Sequence, residues 1–465
     1  MILDIKIFFI FTTTTAIAVS GLYVKNVPQL NADIPQEVRK YFSRNTGQPT
    51  WFTCPVGCYC TGDLSQNSSY ELAVRCYGGN LSHSVFAKII KDSPQNITML
   101  SVEAPSNEPN HFLWDDNLNR FKNLRILRLI SCGIPALSYS ISLKELEVLD
   151  LRSNNIEEIS IDMFTDLPKL KTLDLSSNRL RVLPTGVFAF LHRMERLSLA
   201  YNNITELPIN LLHQHRRLKV LHLDGNKISL KNLNSFFRDT QQLERLELNH
   251  CGLQQYWELK LEYLTNLQRL GLAGNQLGEI PTMLFRGHHR LQAIDLSDND
   301  IRQIPIDPLW HSNITQLVLA CNRLGNLEQL KNVETYGPLE HLDISYNNFE
   351  TFKSEMLGAA QKTVEVLNLS GNRLRYVDSR LTDNLTALKV LHLADNQLVE
   401  LPSDLPAIYS ALRLLNISQN ALYSLPYGSA RIFQSLKILD ISRNRFYTLQ
   451  ASLMEDFLNS LDKVS

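Results

Sequence analysis

The segment Leu146-Glu-Val-Leu149-Asp-Leu151-Arg-Ser-Asn154-Asn-Ile156 states a rule, L-x-x-L-x-L-x-x-N-x-L, that the chain then repeats. Copies start at Leu170, Met194, Leu218, Leu267, Leu291, Ile314, Leu339, Val364, Leu388, Leu412 and Leu436, and two more at Leu124 and Leu243 carry Cys132 and Cys251 in the ninth position. The ninth positions of these fourteen copies fall 22 to 25 residues apart. A period of that length means coils stacked on a shared core, not a globule. Within each copy the L-x-L segment alternates apolar and polar, which predicts a short strand with leucines inward and the intervening residue outward. Successive strands stack into one parallel sheet. The ninth-position Asn sits where the chain turns off the strand, and a buried amide there can satisfy backbone groups of neighbouring coils. Ten residues later a large apolar side chain recurs (Phe164, Phe188, Leu212, Phe236, Phe285, Leu309, Leu357), with another three further on, as in Leu167 and Leu191, and these fill the convex side.

A solenoid lengthens by adding coils, so 465 residues still make one repeat domain. The 46 basic and 47 acidic residues create no overall field, and nucleic acid or an anionic membrane is not expected as a partner. Lys6 precedes an apolar run from Ile7 to Val19, and Ala18 and Ser20 supply the small residues of a cleavage site, so residues 1–20 read as a signal peptide removed before Gly21. The run is too short to span a bilayer comfortably, and no later segment is long and apolar enough. Residues 21–50 read as a flexible lead-in. Cys54, Cys58, Cys60 and Cys76 crowd into residues 51–95, the density of a disulfide-stapled cap in an oxidising compartment, with connectivity left open by the spacing. Residues 96–465 hold the repeats, beginning with a degenerate strand at Ile97–Val102.

The repeats, the Leu-Pro pairs that follow several of them (Leu183-Pro184, Leu207-Pro208, Leu401-Pro402) and the Cys-Pro-x-x-Cys-x-Cys cap resemble an extracellular leucine-rich-repeat protein of the typical 24-residue class. The resemblance covers residues 54–465 and implies an α/β solenoid: a curved horseshoe with the parallel sheet on the concave face and an irregular, short-helical convex side. It further implies pairing of Cys54 with Cys60 and of Cys58 with Cys76. The family includes Toll-like and chaoptin-like ectodomains, matrix proteoglycans and serum carrier subunits. It often closes with a second cysteine-rich cap, yet no cysteine follows Cys321. Leu461 and Val464 fall where a further strand would start, so a partner, a second copy or a continuation of the chain is expected over the last coil.

No phosphate loop, G-x-G-x-x-G, G-x-S-x-G or H-E-x-x-H occurs, so neither catalysis nor a cofactor is expected. His213, His215, His288 and His289 read as convex-loop residues without metal partners at ligand spacing. Cys132, Cys251 and Cys321 lie three or more coils apart and stay thiols, the first two buried. Recognition is expected on the concave face, where outward side chains line up in columns. The column between the inward leucines is acidic (Asp150, Asp174, Glu247, Asp295, Asp343, Asp440), while coils four to eight gather Arg196, Tyr201, His222, Arg245, Glu247, His250 and Arg269 around Gly271, Ala273 and Gly274. Arg and Tyr beside a dent is hot-spot composition. Sequons head at Asn67, Asn80, Asn96, Asn203, Asn313, Asn368, Asn384 and Asn416; glycans on Asn368 and Asn416 would confine a ligand to the N-terminal half. The sequence thus predicts a secreted glycoprotein that binds an extracellular protein or glycan. Its rivals are a receptor ectodomain anchored at the cell surface and a self-associating matrix component.

Overall fold

The computed structural model describes residues 54–61, 72–208, 210–229, 237–238, 240–254, 259, 261–280, 287–304, 313–327, 338–377, 384–402, 411–426, 433, 435–447 and 463–464. The expected signal peptide, the lead-in, Asn67, Phe236, Phe285 and Leu309 lie outside them. The unit that carries the repeats spans Gly47–Ser465.

It begins with β1 (Cys58–Thr61), antiparallel to β2 (Ala73–Tyr77). From β2 onward every step is parallel, through β3 (Met99–Glu103) and β4 (Ile126–Ile130) to the three-residue strands of the repeats. These run from Val148–Asp150 and Thr172–Asp174 through Arg196–Ser198, Val220–His222, Arg245–Glu247 and Arg269–Gly271 to Ile438–Asp440, which pairs with Lys463–Val464. Corresponding residues face each other, as Leu221 with Leu197 and with Leu246. This register follows from the leucine period: a slip of one residue would turn every leucine to water. Both leucines of each L-x-L are fully buried, Leu149, Leu151, Leu173 and Leu175 among them, and with Phe164, Phe188, Leu212 and Leu357 they form one continuous core.

Each ladder asparagine joins two coils. Asn178 accepts the Ile156 N–H at 3.0 Å and donates to the carbonyls of Leu151, Leu175 and Ser176. Cys132 and Cys251 are buried, and their thiols donate to the same class of carbonyls, Val102 and Ile130 in one case, Leu223 and Asn249 in the other. The residue before each ladder position is left-handed, with φ between 50° and 68° from Ser131 to Arg443. That conformation turns the chain off the sheet. It is filled by glycine at Gly225, Gly274 and Gly371 and elsewhere by residues such as Tyr201, His250 and Tyr346.

The N-terminal end is closed by two disulfides, Cys54–Cys60 (2.08 Å) and Cys58–Cys76 (2.03 Å), the pairing that the resemblance implies. Helix α1 (His83–Asp92) lies against the first coils, with Phe86, Ile89 and Ile90 at helical spacing turned into the core. Phe86 stacks on Phe112 at 4.4 Å between ring centres. The unmatched carbonyls of Ile90 and Lys91 at its C-terminal end accept from the Arg120 guanidinium at 3.1 and 3.0 Å.

Candidate functional site

Outward side chains on the sheet face are crowded by neighbours about 4.8 Å away on either side. The acidic column is therefore not a solvated row of charge: Asp150, Asp174, Ser198 and Asp343 are all buried. Most of its members turn back onto their own chain. The Asp174 carboxylate accepts from the Ser176 N–H (2.9 Å) and hydroxyl (2.5 Å). Asp295 does the same with Ser297, Asp343 with Ser345, and Asn416 with Ser418. This Asx turn caps the strand's exit. Its signal, Asp/Asn-x-Ser in six copies from Asp174-Leu-Ser176 to Asp440-Ile-Ser442, was readable in the sequence.

In the coils where Arg196, His222, Arg245 and Arg269 stand, the polar groups sort into a self-paired floor and a free rim. Arg245 Nε donates to Glu247 Oε1 at 2.7 Å. Asn249 Nδ2 donates to Glu247 Oε2 (3.0 Å) and Asp224 Oδ1 (2.7 Å), and Asn249 Oδ1 accepts the Ala273 N–H. Gly271 makes room for this network, because a Cβ there would stand 1.8 Å from Glu247 Oε2. Burial pushes the Asp224 carboxyl up to about 6, with the Glu247 charge adding to it. Burial first, then Arg245, pushes His222 down to about 4. His222 Nδ1 lies 3.9 Å from Asp224 Oδ2. With those shifts the imidazole is neutral at pH 7, and the approach is not a salt bridge.

The rim is what remains. Arg196 and Arg269 are half-buried, and their side chains have no hydrogen bond or ion pair among the described residues. Tyr201 is 56% exposed, and its ring lies over Gly225, where a Cβ would meet Cδ1 at 2.5 Å. The exposed His250 ring covers Gly274 in the same way, with a Cβ 1.9 Å from Nδ1. The left-handed backbone alone does not demand glycine, since other coils place serine, tyrosine or histidine in it; at Gly225 and Gly274 it is the ring laid on the backbone that leaves no room for a Cβ. The structure thus brings all seven residues named from the sequence onto one patch, with different duties: Arg245, Glu247 and His222 belong to the floor, Arg196, Tyr201, His250 and Arg269 to the rim.

His215 and His288 lie in the turns between strands, as expected, but their rings face inward: they are 1% and 3% exposed, thirteen residues past the ladder, where Leu167, Leu191 and Leu264 point inward in other coils. Each fits because one ring nitrogen donates to a carbonyl of the preceding coil, His215 Nε2 to Phe188 (3.0 Å) and His288 Nδ1 to Leu264 (3.1 Å). Burial lowers both pKa values. The sequons Asn368 and Asn416 sit on the sheet but are half-buried, and Asn368 Nδ2 already donates to Asp343 at 3.0 Å. Asn80, Asn96, Asn203, Asn313 and Asn384 are exposed. No group of three or more metal-binding side chains occurs among the described residues.

The buried imidazoles give a pH dependence. A histidine depressed in the fold stabilises above its unfolded value of about 6.5, and that stability is lost as pH falls towards the folded value. For His222 the window runs from about 6.5 to about 4 and is worth on the order of 3 kcal/mol. Asp150 and Asp224, raised to about 6, act oppositely and gain stability as pH falls through that range. Unfolding measured across pH 7 to 4 is expected to take up about one proton fewer in His222→Gln than in the parent; superimposable profiles would exclude a buried neutral His222.

The leucine-rich-repeat family model matches residues 122–180, 144–204, 168–228 and 338–398. Among characterised proteins the chain is similar to Drosophila melanogaster chaoptin (32% identical over 111 residues, 24% of this chain and 8% of chaoptin). It is also similar to the human leucine-rich repeat-containing G-protein coupled receptor 4 (26% over 162 residues, 30% and 16%) and to Schizosaccharomyces pombe adenylate cyclase (30% over 154 residues, 32% and 9%). The chain spans less than a fifth of the length of each. Similar solved folds include a Leptospira interrogans leucine-rich-repeat protein (TM-score 0.57, 22% identity, covering 84% of this chain and 89% of that one) and the Drosophila Toll–Spatzle complex (0.57, 17%, 88% and 57%). What the chain shares with the family model and with these folds is the coil itself: it carries leucine-rich repeats, and its first coil is closed by a cysteine cap.

Proposed function

We propose that the sheet face from Arg196 to Gly274 binds an extracellular protein partner, the chain being a secreted, glycosylated recognition module without catalysis of its own. The observation that carries this reading is the division of the patch. Its acids are consumed by Asx turns and by Arg245 and Asn249, while two guanidiniums and two seated aromatic rings are left facing outward. Arg and Tyr around a small-residue dent supply large contact area and directed hydrogen bonds at little entropic cost. The exposed sequons Asn80, Asn96, Asn313 and Asn384 lie in coils outside this patch, while Asn203, two residues after Tyr201, borders its rim. The disulfides support an oxidising compartment.

Affinity capture from the medium of cells of the source organism, with the parent chain and with Arg196→Glu/Arg269→Glu, tests it. The proposal expects a protein retained by the parent and lost, by at least about tenfold, from the variant. A partner retained equally by both would place the interface elsewhere. A second reading, the ectodomain part of a membrane receptor, is supported by the partial likeness to the G-protein coupled receptor. The intact mass of the natural product separates the two.

A further inference from the structure

A second surface lies off the sheet. Past each ladder asparagine the second residue turns into the core, as Leu374, Leu398 and Leu422 do, and the first and third turn outward on one flank. In the four coils after Asn347 these outward positions are Arg373 and Arg375, Gln397 and Val399, Ala421 and Tyr423, and Arg445 and Tyr447. None is acidic. In earlier coils two flank arginines are neutralised by the coil before, Arg179 by Glu157 at 3.6 Å and Arg323 by Asp300 at 2.6 Å, and the exposed Arg181 and Arg302 stand singly, not as two close pairs. The side chains of Arg373, Arg375, Arg445 and the adjacent Arg443 are exposed and have no hydrogen bond or ion pair among the described residues, although Glu350 stands one coil before Arg373. Between the two arginine pairs lie Val399 and Tyr423, 47% and 45% exposed, and Tyr447, 90% exposed, stands beside Arg445 in the last of the four coils. Glu400 beside Val399 holds the Tyr423 hydroxyl at 3.1 Å. Between residues 405 and 448 the sequence has Arg413, Arg431, Lys437, Arg443 and Arg445 against Asp440 alone, and the Asp440 carboxylate is turned back onto the Ser442 N–H. No sequon falls on the flank in these four coils: Asn368 and Asn416 are sheet residues, and Asn384 lies twelve residues past its ladder asparagine.

We propose that this flank binds a sulfated polysaccharide lying along the solenoid axis, with Arg373 and Arg375 gripping one anionic site and Arg443 and Arg445 another. The two grips are three coils, about 14 Å, apart. Guanidinium forks match planar arrays of anionic oxygens, and an apolar strip left open to solvent marks an interaction surface. The uncharged floor of Val399 and Tyr423 decides between polyanions. A sulfated sugar chain carries its charges on the edges and presents C–H ring faces to the tyrosine, whereas a polyacidic peptide would leave carboxylates over an apolar floor without donors. This proposal is independent of the sheet-face reading.

Binding of the full chain to heparin, measured against salt, tests it with the quadruple variant Arg373→Ala/Arg375→Ala/Arg443→Ala/Arg445→Ala, with Tyr423→Ser, and with polyglutamate as competitor. All five substitutions are at exposed positions, and unchanged thermal unfolding verifies the fold. The parent is expected to bind heparin at 0.15 M salt. The quadruple variant should lose at least about 100-fold, with the slope of log affinity against log salt falling by roughly three, as polyelectrolyte counterion release requires. Tyr423→Ser should lose about tenfold. Arg196→Glu/Arg269→Glu should keep its heparin affinity, which separates failure here from failure of the sheet-face reading. No heparin binding by the parent, equal affinity in the quadruple variant, or displacement by polyglutamate as effective as by heparin with Tyr423→Ser unchanged would each overturn the proposal.

Discussion

Replacing Asn226 by leucine is expected to cost about 3 kcal/mol of unfolding free energy, although the side chains are nearly isosteric and the position is fully buried. Asn226 is fully buried and satisfies four backbone groups: it accepts the Ile204 N–H at 3.0 Å and donates to Leu199 (2.9 Å), Leu223 (2.9 Å) and Asp224 (3.2 Å). Leucine leaves the Ile204 N–H in the core without a partner and strips one donor from each carbonyl, so that Leu199 keeps only Asn202, Leu223 only the Cys251 thiol and Asp224 only the Tyr201 N–H. One orphaned donor at about 1–3 kcal/mol and three under-satisfied acceptors make up the cost. The gain from burying two more methyl groups does not offset that. Asn226→Cys should cost roughly half as much, because the thiols at Cys132 and Cys251 show that sulfur at this position still reaches two carbonyls. Urea midpoints for the three chains check the ranking. A leucine variant as stable as the parent would mean that the ladder amides are dispensable.

The second large effect concerns recognition and not stability. Gly225→Ala combined with Gly274→Ala is expected to weaken binding of the captured partner by at least about tenfold while lowering stability by only about 1 kcal/mol per site. The added methyl groups cannot coexist with the Tyr201 and His250 rings where they now lie, and a ring is easier to displace than a backbone. Both rings would leave their seats and the rim would lose its shape. Gly278→Ala, at a position with nothing within 4 Å and no left-handed backbone, is the control and should change neither. Calorimetric titration with matched thermal unfolding separates the two quantities. Unaltered affinity in the double variant would remove the ring seats from the binding account.

These two cases mark what could be read from the sequence and what could not. The leucine period determines the coil, the parallel sheet and the inward leucines, because a register error would be paid at every coil at once. The ladder asparagine was legible for the same reason: it is a fixed position whose backbone debts recur. The acidity of the column through Asp174 was legible and its pairing was not, because alternation assigns a face and not a partner. Whether an outward carboxylate meets solvent or the Ser two residues on depends on the turn that follows. The burial of His215 and His288 went unread because a histidine in a loop suggests solvent, while their position thirteen residues past the ladder puts the rings inside. The patch around Arg245 was found from its columns, yet its split into floor and rim rests on Asn249, which bridges Asp224 and Glu247 across the coils and carries no signal of its own in the sequence.

The account rests most heavily on the rim of the sheet face as the recognition surface, and hydroxyl-radical footprinting of the captured complex tests that most directly. Tyr201 and His250 are exposed in the free chain, as are Tyr346 and Tyr376, at 53% and 57%, outside the proposed patch. Oxidation of Tyr201 and His250 is expected to slow at least severalfold on binding while Tyr346 and Tyr376 react as before. Unchanged rates at Tyr201 and His250 with protection confined to other coils would contradict it.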